Sequence, residues 1–288
     1  MASATGTSRP RGWIDAHSHI WTRGIQRFPL ATGQTVNDLD PPSFTTEELI
    51  AAGQKIGVAR VVLIQHHTYH GWDNSYILEA AHRFPDRFRV TGMVDDTLPH
   101  PDRRMRKLLK QHVTALRITS WIGGTGQWLA SPGMAAMWKC AADTRQAMAC
   151  LINPGDLPAV DRMCRKHPDT PVVIDHFARI GADGPIRDKE VNNLCQLAKH
   201  KHTFAKLSAF YALGKKQPPY DDLIPMIRRV YEAFGPRRLM WASDAPYQVV
   251  APHTYQASLA LVRDNLDFLS ADDREWILRR TAEQVYSF

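Results

Sequence analysis

The sequence predicts a single-domain α/β protein, a closed (β/α)8 barrel of the TIM type. Three observations carry that expectation. Eight short runs rich in β-branched residues alternate with segments of helical period along the 288 residues. Runs such as VVLIQ (61–65) and PVVIDH (171–176) are apolar on both faces, as parallel strands covered by helices are. No glycine-rich phosphate loop follows the first run, which disfavours the open doubly wound sheet.

In chain order the strands are expected at 12–17, 60–65, 88–94, 114–118, 147–153, 170–176, 203–208 and 238–244. The helices between them carry their own start and stop signals. In TTEELIAAGQKIG (45–57), Thr45 or Thr46 can cap the first turn and Gly57 can end the helix. Further helical patterns run over 74–84, 101–112, 133–145, 156–167, 186–200, 220–235 and 253–266, so the β–α unit repeats eight times. No linker or shift of composition splits off a second domain. Residues 13–288 are read as the barrel and residues 1–12, MASATGTSRPRG, as a flexible polar lead-in. The longest non-periodic segments, 22–43 and 119–132, each follow a strand's C-terminal end, where a barrel places its active-site loops.

Composition narrows the function classes. With 44% hydrophobic and 23% charged residues the chain reads as soluble and globular. It has no apolar run long enough for a membrane span, and the first twelve residues lack a signal-peptide core, so a cytoplasmic protein is expected. Cys140, Cys150, Cys164 and Cys195 are irregularly spaced and read as reduced thiols, mostly buried. The net charge of +7 is scattered over predicted helices, as at 103–107, 199–202 and near Arg228, Arg237 and Arg279, and reads as a solvated outer face. No nucleic-acid motif accompanies it. The expected partner is a small anionic substrate drawn into a positive cleft, with neither nucleic acid nor membrane; a homo-oligomer is left open.

The residues able to carry chemistry cluster at strand tips. His17 and His19, two apart at the end of the first strand, project from one side and can offer two imidazole nitrogens to one ion. Alone, such a pair equally fits exposed loop histidines. The sixth strand ends in Asp175 and His176, and the eighth in Asp244. In a closed barrel these tips share a rim, so His17, His19, His176 and Asp244 can converge. Singly, His176 also reads as a core histidine, and Asp244 as a helix cap before Ala245-Pro246. Substrate contacts are expected from Arg117 at the fourth tip, Lys206 on the seventh strand, Arg179 after the sixth, and His66 in the aromatic loop Gln65–Tyr76. Tyr247 and Tyr211 are weaker candidates.

At this level the chain resembles the amidohydrolase superfamily, in its amidohydrolase-related (amidohydrolase 2) branch of lactone hydrolases and aromatic-acid decarboxylases. The matching stretches are DAHSHIW, VVLIQ, LRIT, LPAVDRMCRKHPDTPVVIDH, AKLSAF and WASDAPY, which span nearly the whole chain from Trp13 to Phe288. VVIDH and KLS look more like the lactonase group. The resemblance implies hydrolysis of a cyclic ester that is carboxylate-bearing or sugar-derived, with Asp244 as the base that activates water. One departure stands out: where full metal centres carry a histidine or carboxylated lysine at the fourth or fifth tip, this chain has Arg117 and Asn153. What is implied is therefore at most one divalent ion, zinc, on His17, His19, His176 and Asp244, or a metal-free route using protonated histidines. A metal-dependent non-oxidative decarboxylase of an aromatic or unsaturated acid is the alternative. An inert anion-binding barrel is a third reading, opposed by the intact Asp244.

Overall fold

A computed structural model describes residues 12–121 and 128–288. Apart from Gly12, the lead-in expected at 1–12 lies outside the described residues. Eight parallel strands follow one another around a barrel in sequence order: β1 (Trp13–Ser18), β2 (Val58–Ile64), β3 (Phe88–Gly92), β4 (Val113–Thr119), β5 (Ala147–Leu151), β6 (Val172–Ile174), β7 (Thr203–Leu207) and β8 (Leu239–Trp241). Helices connect successive strands on the outside and others follow β8, so the (β/α)8 barrel expected from the sequence is the fold observed.

Six strands end before the expected bounds, β2 at Ile64, β3 at Gly92, β5 at Leu151, β6 at Ile174, β7 at Leu207 and β8 at Trp241. The backbone leaves extended geometry at β6 because His176 to Arg179 take positive φ angles, and beyond β8 because Asp244 does the same at φ 68°. Local signals elsewhere act as expected. Thr45, not Thr46, caps the helix Thr46–Gln54, its hydroxyl accepting from Glu48 N–H while Glu48 Oε2 accepts from Thr45 N–H at 2.6 Å. The aromatic loop after β2 contains one helical turn, His67–His70, too short to show a period in the sequence.

The apolar character of both strand faces has a direct cause. Ile14, Ala16, Val62, Ile64, Ala115 and Met240 fill the barrel interior, while alternate residues such as Leu63, Val90 and Leu116 pack under the helices. A C-terminal helical segment beyond the eighth unit, Ala271–Tyr286, has no place in the count of eight repeats. It closes the N-terminal mouth of the barrel. Ala282, Tyr286 and Phe288 join the interior cluster, and Glu283 pairs with the buried Arg60 at 2.6 Å. The four cysteines are free thiols, Cys195 half-buried and the others buried. Among the described residues no helix is long and apolar enough to cross a membrane.

The barrel closes where β1 meets the chain after β8. Asp244 N–H donates to His17 O at 2.8 Å, and His19 N–H donates to Ala245 O at 2.7 Å. Beneath these bonds the fully buried Asp15 joins both sides. Its Oδ1 accepts from His17 N–H (3.0 Å) and Ser243 N–H (2.9 Å). Its Oδ2 accepts from Ser18 Oγ (2.6 Å), Ser243 Oγ (2.5 Å) and Tyr255 OH (2.5 Å). Replacing Asp15 by Ala strands these donors without a partner, so urea unfolding of Asp15→Ala is expected to show a loss of about 3 kcal/mol or more. Tyr255→Phe, which removes one donor, should cost about 1–2 kcal/mol. An Asp15→Ala loss within about 0.5 kcal/mol, the range of an ordinary surface change, would refute the clamp.

Candidate active site

The seam brings the predicted residues together at the C-terminal rim. His17 Nε2 and His19 Nε2 lie 3.3 Å apart, and Asp244 Oδ1 lies 3.4 Å from the first and 3.3 Å from the second. His176 Nε2 reaches to 3.8 Å from Asp244 Oδ2. All four side chains are buried. Tetrahedral zinc with bonds of about 2.0–2.1 Å has ligand–ligand edges of about 3.3–3.4 Å, so the spacing of His17, His19 and Asp244 suits such an ion.

The outer nitrogens are held as metal-binding imidazoles require. His19 Nδ1 donates to the Ile64 carbonyl at 2.9 Å, which turns Nε2 toward the cluster. His176 Nδ1 lies 2.8 Å from Ser208 Oγ. Burial pushes the pKa of His17 well down, with the Lys206 ammonium adding to the effect, and burial lowers His176. Burial would raise Asp244, but the histidines around it, His176 foremost, hold it well below the usual carboxylate range. Burial that disfavours protonation of His17 and His176 beside an ionised carboxylate favours the protonation state that a divalent cation needs. Asp244 Oδ1 is buried without a hydrogen-bond partner, whereas Oδ2 accepts from Tyr211 OH at 2.7 Å. The free oxygen faces His17 and His19.

Lys206 corrects an expectation. It does not face the substrate pocket: it is fully buried inside the barrel, its ammonium 2.9 Å from Asp175 Oδ1 and 3.2 Å from His17 Nδ1, above the Tyr286 ring. Ser208, two residues nearer the rim, takes the position beside His176, and the longer side chain lies deeper. An ammonium with no water around it needs a counter-charge, and Asp175 supplies it. Burial would raise Asp175, but Lys206 holds its carboxyl well below the ordinary range. Asp175, expected at the sixth tip but given no role there, is thus a buttress of His17, 3.5 Å from its Nδ1. Asp175, His17 and His176 also sit close enough to hold a cation. Lys206 already occupies that charge, so the His17–His19–Asp244 side is the one that fits an ion.

Above the cluster opens a pocket of about 520 Å³ whose lining includes Arg117, Arg179, Lys216, His66, Tyr211 and Tyr247. Arg117 is 7% exposed; its NH1 donates to Gln65 O at 3.3 Å and its Nε has no partner. No described carboxylate lies within ion-pairing distance of it. His66 Nε2 meets Tyr247 OH at 2.8 Å, and burial holds that imidazole neutral, well below its ordinary pKa. Arg179 donates to Asn153 Oδ1 at 3.1 Å and lies 5.3 Å over the Trp121 ring. Asn153, a poor metal ligand at the fifth tip, therefore orients a cation instead. Lys216 escapes sequence reasoning, because nothing in the loop sequence GKKQ shows which lysine turns inward.

The turn that carries His176 and Arg179 is unusual. His176, Phe177, Ala178 and Arg179 have φ of 51°, 51°, 54° and 60°, four successive left-handed residues without a glycine. At about 1–2 kcal/mol each this costs on the order of 4 kcal/mol or more. Phe177 and Ala178 are fully buried, and their packing offsets the cost. Residues three apart in such a turn share a face, so His176 and Arg179 both reach the pocket.

A barrel whose rim gathers two histidines from the first strand, one from the sixth and an aspartate from beyond the eighth is that of a barrel hydrolase. The chain belongs to the Amidohydrolase (Amidohydro_2) family, whose model matches residues 14–288. It is 27% identical over 280 residues to an L-fucono-1,5-lactonase of Burkholderia ambifaria, covering 95% of this chain and 94% of that one. It is 25% identical over 240 residues to a 4-sulfomuconolactone hydrolase of Rhizobium radiobacter, covering 83% and 77%. A solved amidohydrolase structure from Burkholderia multivorans with bound zinc has the same fold, with a TM-score of 0.80 at 20% identity over 96% of this chain and 100% of that one.

The Asp175–Lys206 pair gives a quantitative test. Lys206→Met leaves a buried carboxylate unpaired and should lower stability by about 3–5 kcal/mol in chemical unfolding. The double variant Asp175→Asn/Lys206→Met should lose less than the sum of the single changes, by about 1 kcal/mol or more. Strict additivity would show that the two groups do not interact.

Proposed function

We propose that the protein opens a lactone bearing an anionic group, adding water to the ring carbonyl to give a hydroxy acid. The observation that carries the choice of substrate is Arg117: a buried guanidinium facing the pocket, with a free N–H and no carboxylate among the described residues within ion-pairing distance. Leaving such a charge unmatched is costly, so a substrate carboxylate is its natural partner. Arg179 and Lys216 add positive charge nearer the mouth.

A single zinc ion on His17, His19, His176 and Asp244 would supply Lewis acidity and a bound water of lowered pKa. The chain's own residues do the rest. Asp244, held ionised, takes the proton of the attacking water as the oxygen joins the carbonyl carbon. As the ring C–O bond breaks, that proton passes to the leaving alkoxide, and Asp244 returns to its starting state. Tyr211, donating to Oδ2, fixes the carboxylate plane. His66 and Tyr247 form a wall on the substrate's side of the cluster. The four free thiols suit a reducing compartment, and we place the enzyme in the cytoplasm.

Asp244→Asn should lower kcat on an anionic lactone by about 10³-fold, measured by acid release, with the fold intact by circular dichroism. Unchanged turnover would remove Asp244 from the mechanism. Arg117→Met should raise KM for that lactone by about 10–100-fold while leaving a neutral lactone nearly unaffected. Equal effects on both would deny the carboxylate contact. Elemental analysis of the purified protein should find one equivalent of zinc, and its removal by chelator should abolish turnover until zinc is restored. Full activity of metal-free protein would favour the histidine-only route.

A further inference from the structure

Beside the catalytic pocket lies a second cleft of about 410 Å³, within the size range of small-molecule sites. It is formed by the turn after β2, the segment after β3 and the helix Pro101–Leu109. Its base is Met93 and Val94, both buried; Trp72 and Leu98 stand at its walls, 37% and 47% exposed. Large apolar side chains so exposed are uncommon in this molecule, and here two of them line one concavity.

Charge completes the pattern. Arg104 and Lys107, three apart on one helix face, both line the cleft, and neither has a described carboxylate within ion-pairing distance. On the same helix Arg106 is paired with Asp143 at 2.9 Å, whereas Arg103, which does not line the cleft, has no described carboxylate within ion-pairing distance either. The one acid among the described lining residues, Asp95, has its Oδ1 engaged by Thr97 N–H and Oγ. The cleft is also built firmly. The Asn74 side chain accepts from Met93 N–H at 2.8 Å and donates to Met93 O at 3.0 Å, fixing the base.

The cleft adjoins the catalytic pocket. Met93 lines both cavities. The Trp72 ring packs edge-on against His67 at 5.0 Å, and His67 lines the catalytic pocket. An occupant of the outer cleft would touch Met93 directly and adjoin His67 through Trp72.

We propose that this cleft is an effector site for an aromatic carboxylate, its ring against Trp72 and Leu98 and its acid group on Arg104 and Lys107. A planar apolar body matches the indole and the leucine. A single anionic group matches the paired cations at the rim. Occupancy alters lactone turnover through Met93 and His67. The site itself stands independently of the lactonase reading; only its effect on turnover rests on that reading.

The test uses 2-naphthoate as the probe, followed by calorimetry. Arg117→Met protein, whose catalytic pocket has lost its inner cation, should still bind it with one site. Adding Arg104→Ala and Lys107→Ala should weaken that binding at least about tenfold, and uncharged 2-naphthol should bind as weakly to the parent. Binding indifferent to Arg104 and Lys107, equal binding of naphthol, or no saturation at millimolar probe overturns the site. So does a dimer in solution that Trp72→Ser and Leu98→Ser dissociate, since a second copy would then cover the cleft. In the native protein, saturating naphthoate should change KM for an anionic lactone, and Arg104→Ala/Lys107→Ala should remove that response while keeping the probe-free constants. Binding without any kinetic response overturns the effector role. Absence of lactone turnover in every form refutes the lactonase reading alone, and the calorimetry still decides the site.

Discussion

The catalytic arrangement depends on one buried carboxylate. Asp15 takes five hydrogen bonds from both sides of the line where the barrel closes, and His17, His19 and Asp244 lie on the backbone it gathers. The residues that close the barrel are also the ones that hold the chemistry: Asp244 N–H and His17 O form one of the closing bonds. Separating β1 from β8 would pull His17 and His19 away from their carboxylate. Fold closure and site assembly are here a single event.

Charge is arranged outward from that seam in layers. Deepest is the Lys206–Asp175 pair, which balances itself and sets the environment of His17. Next come His17 and His176, whose protonation burial disfavours, and ionised Asp244. Outermost is a pocket with three cations, Arg117, Arg179 and Lys216, for which Asp244 is the acid among the described lining residues. The net effect is a cavity poised for negative charge at its mouth and for hydrolysis at its base. The strained left-handed turn at 176–179 links the two layers, since one end carries His176 and the other Arg179. Strain of this kind persists only where surrounding packing over-determines it, as the complete burial of Phe177 and Ala178 does.

Much of this is legible in the sequence. The strand period and the count of eight β–α units are enough to put His17, His19, His176 and Asp244 on one rim, because strand tips in a barrel are interchangeable in position. Arg117, His66, Arg179 and Tyr247 follow for the same reason, and the structure lines the pocket with all four. Lys206 is misassigned because sequence tells which face of a strand a residue occupies but not how deep in the barrel it sits. The turn after β6 is invisible: DHFAR contains no glycine or asparagine to announce a left-handed backbone, and tertiary packing alone imposes it. The C-terminal plug escapes because it follows the last unit and has no strand to define it.

The central claim is that water, deprotonated by Asp244, attacks a lactone carbonyl at the His17–His19–His176 cluster. Turnover of an anionic lactone in ¹⁸O-labelled water tests it most directly, with products read by mass spectrometry. One ¹⁸O in the new carboxylate, none in the released hydroxyl and no carbon dioxide is the predicted result. Label in the hydroxyl, or release of carbon dioxide, would contradict acyl–oxygen cleavage and with it the chemistry assigned to this site.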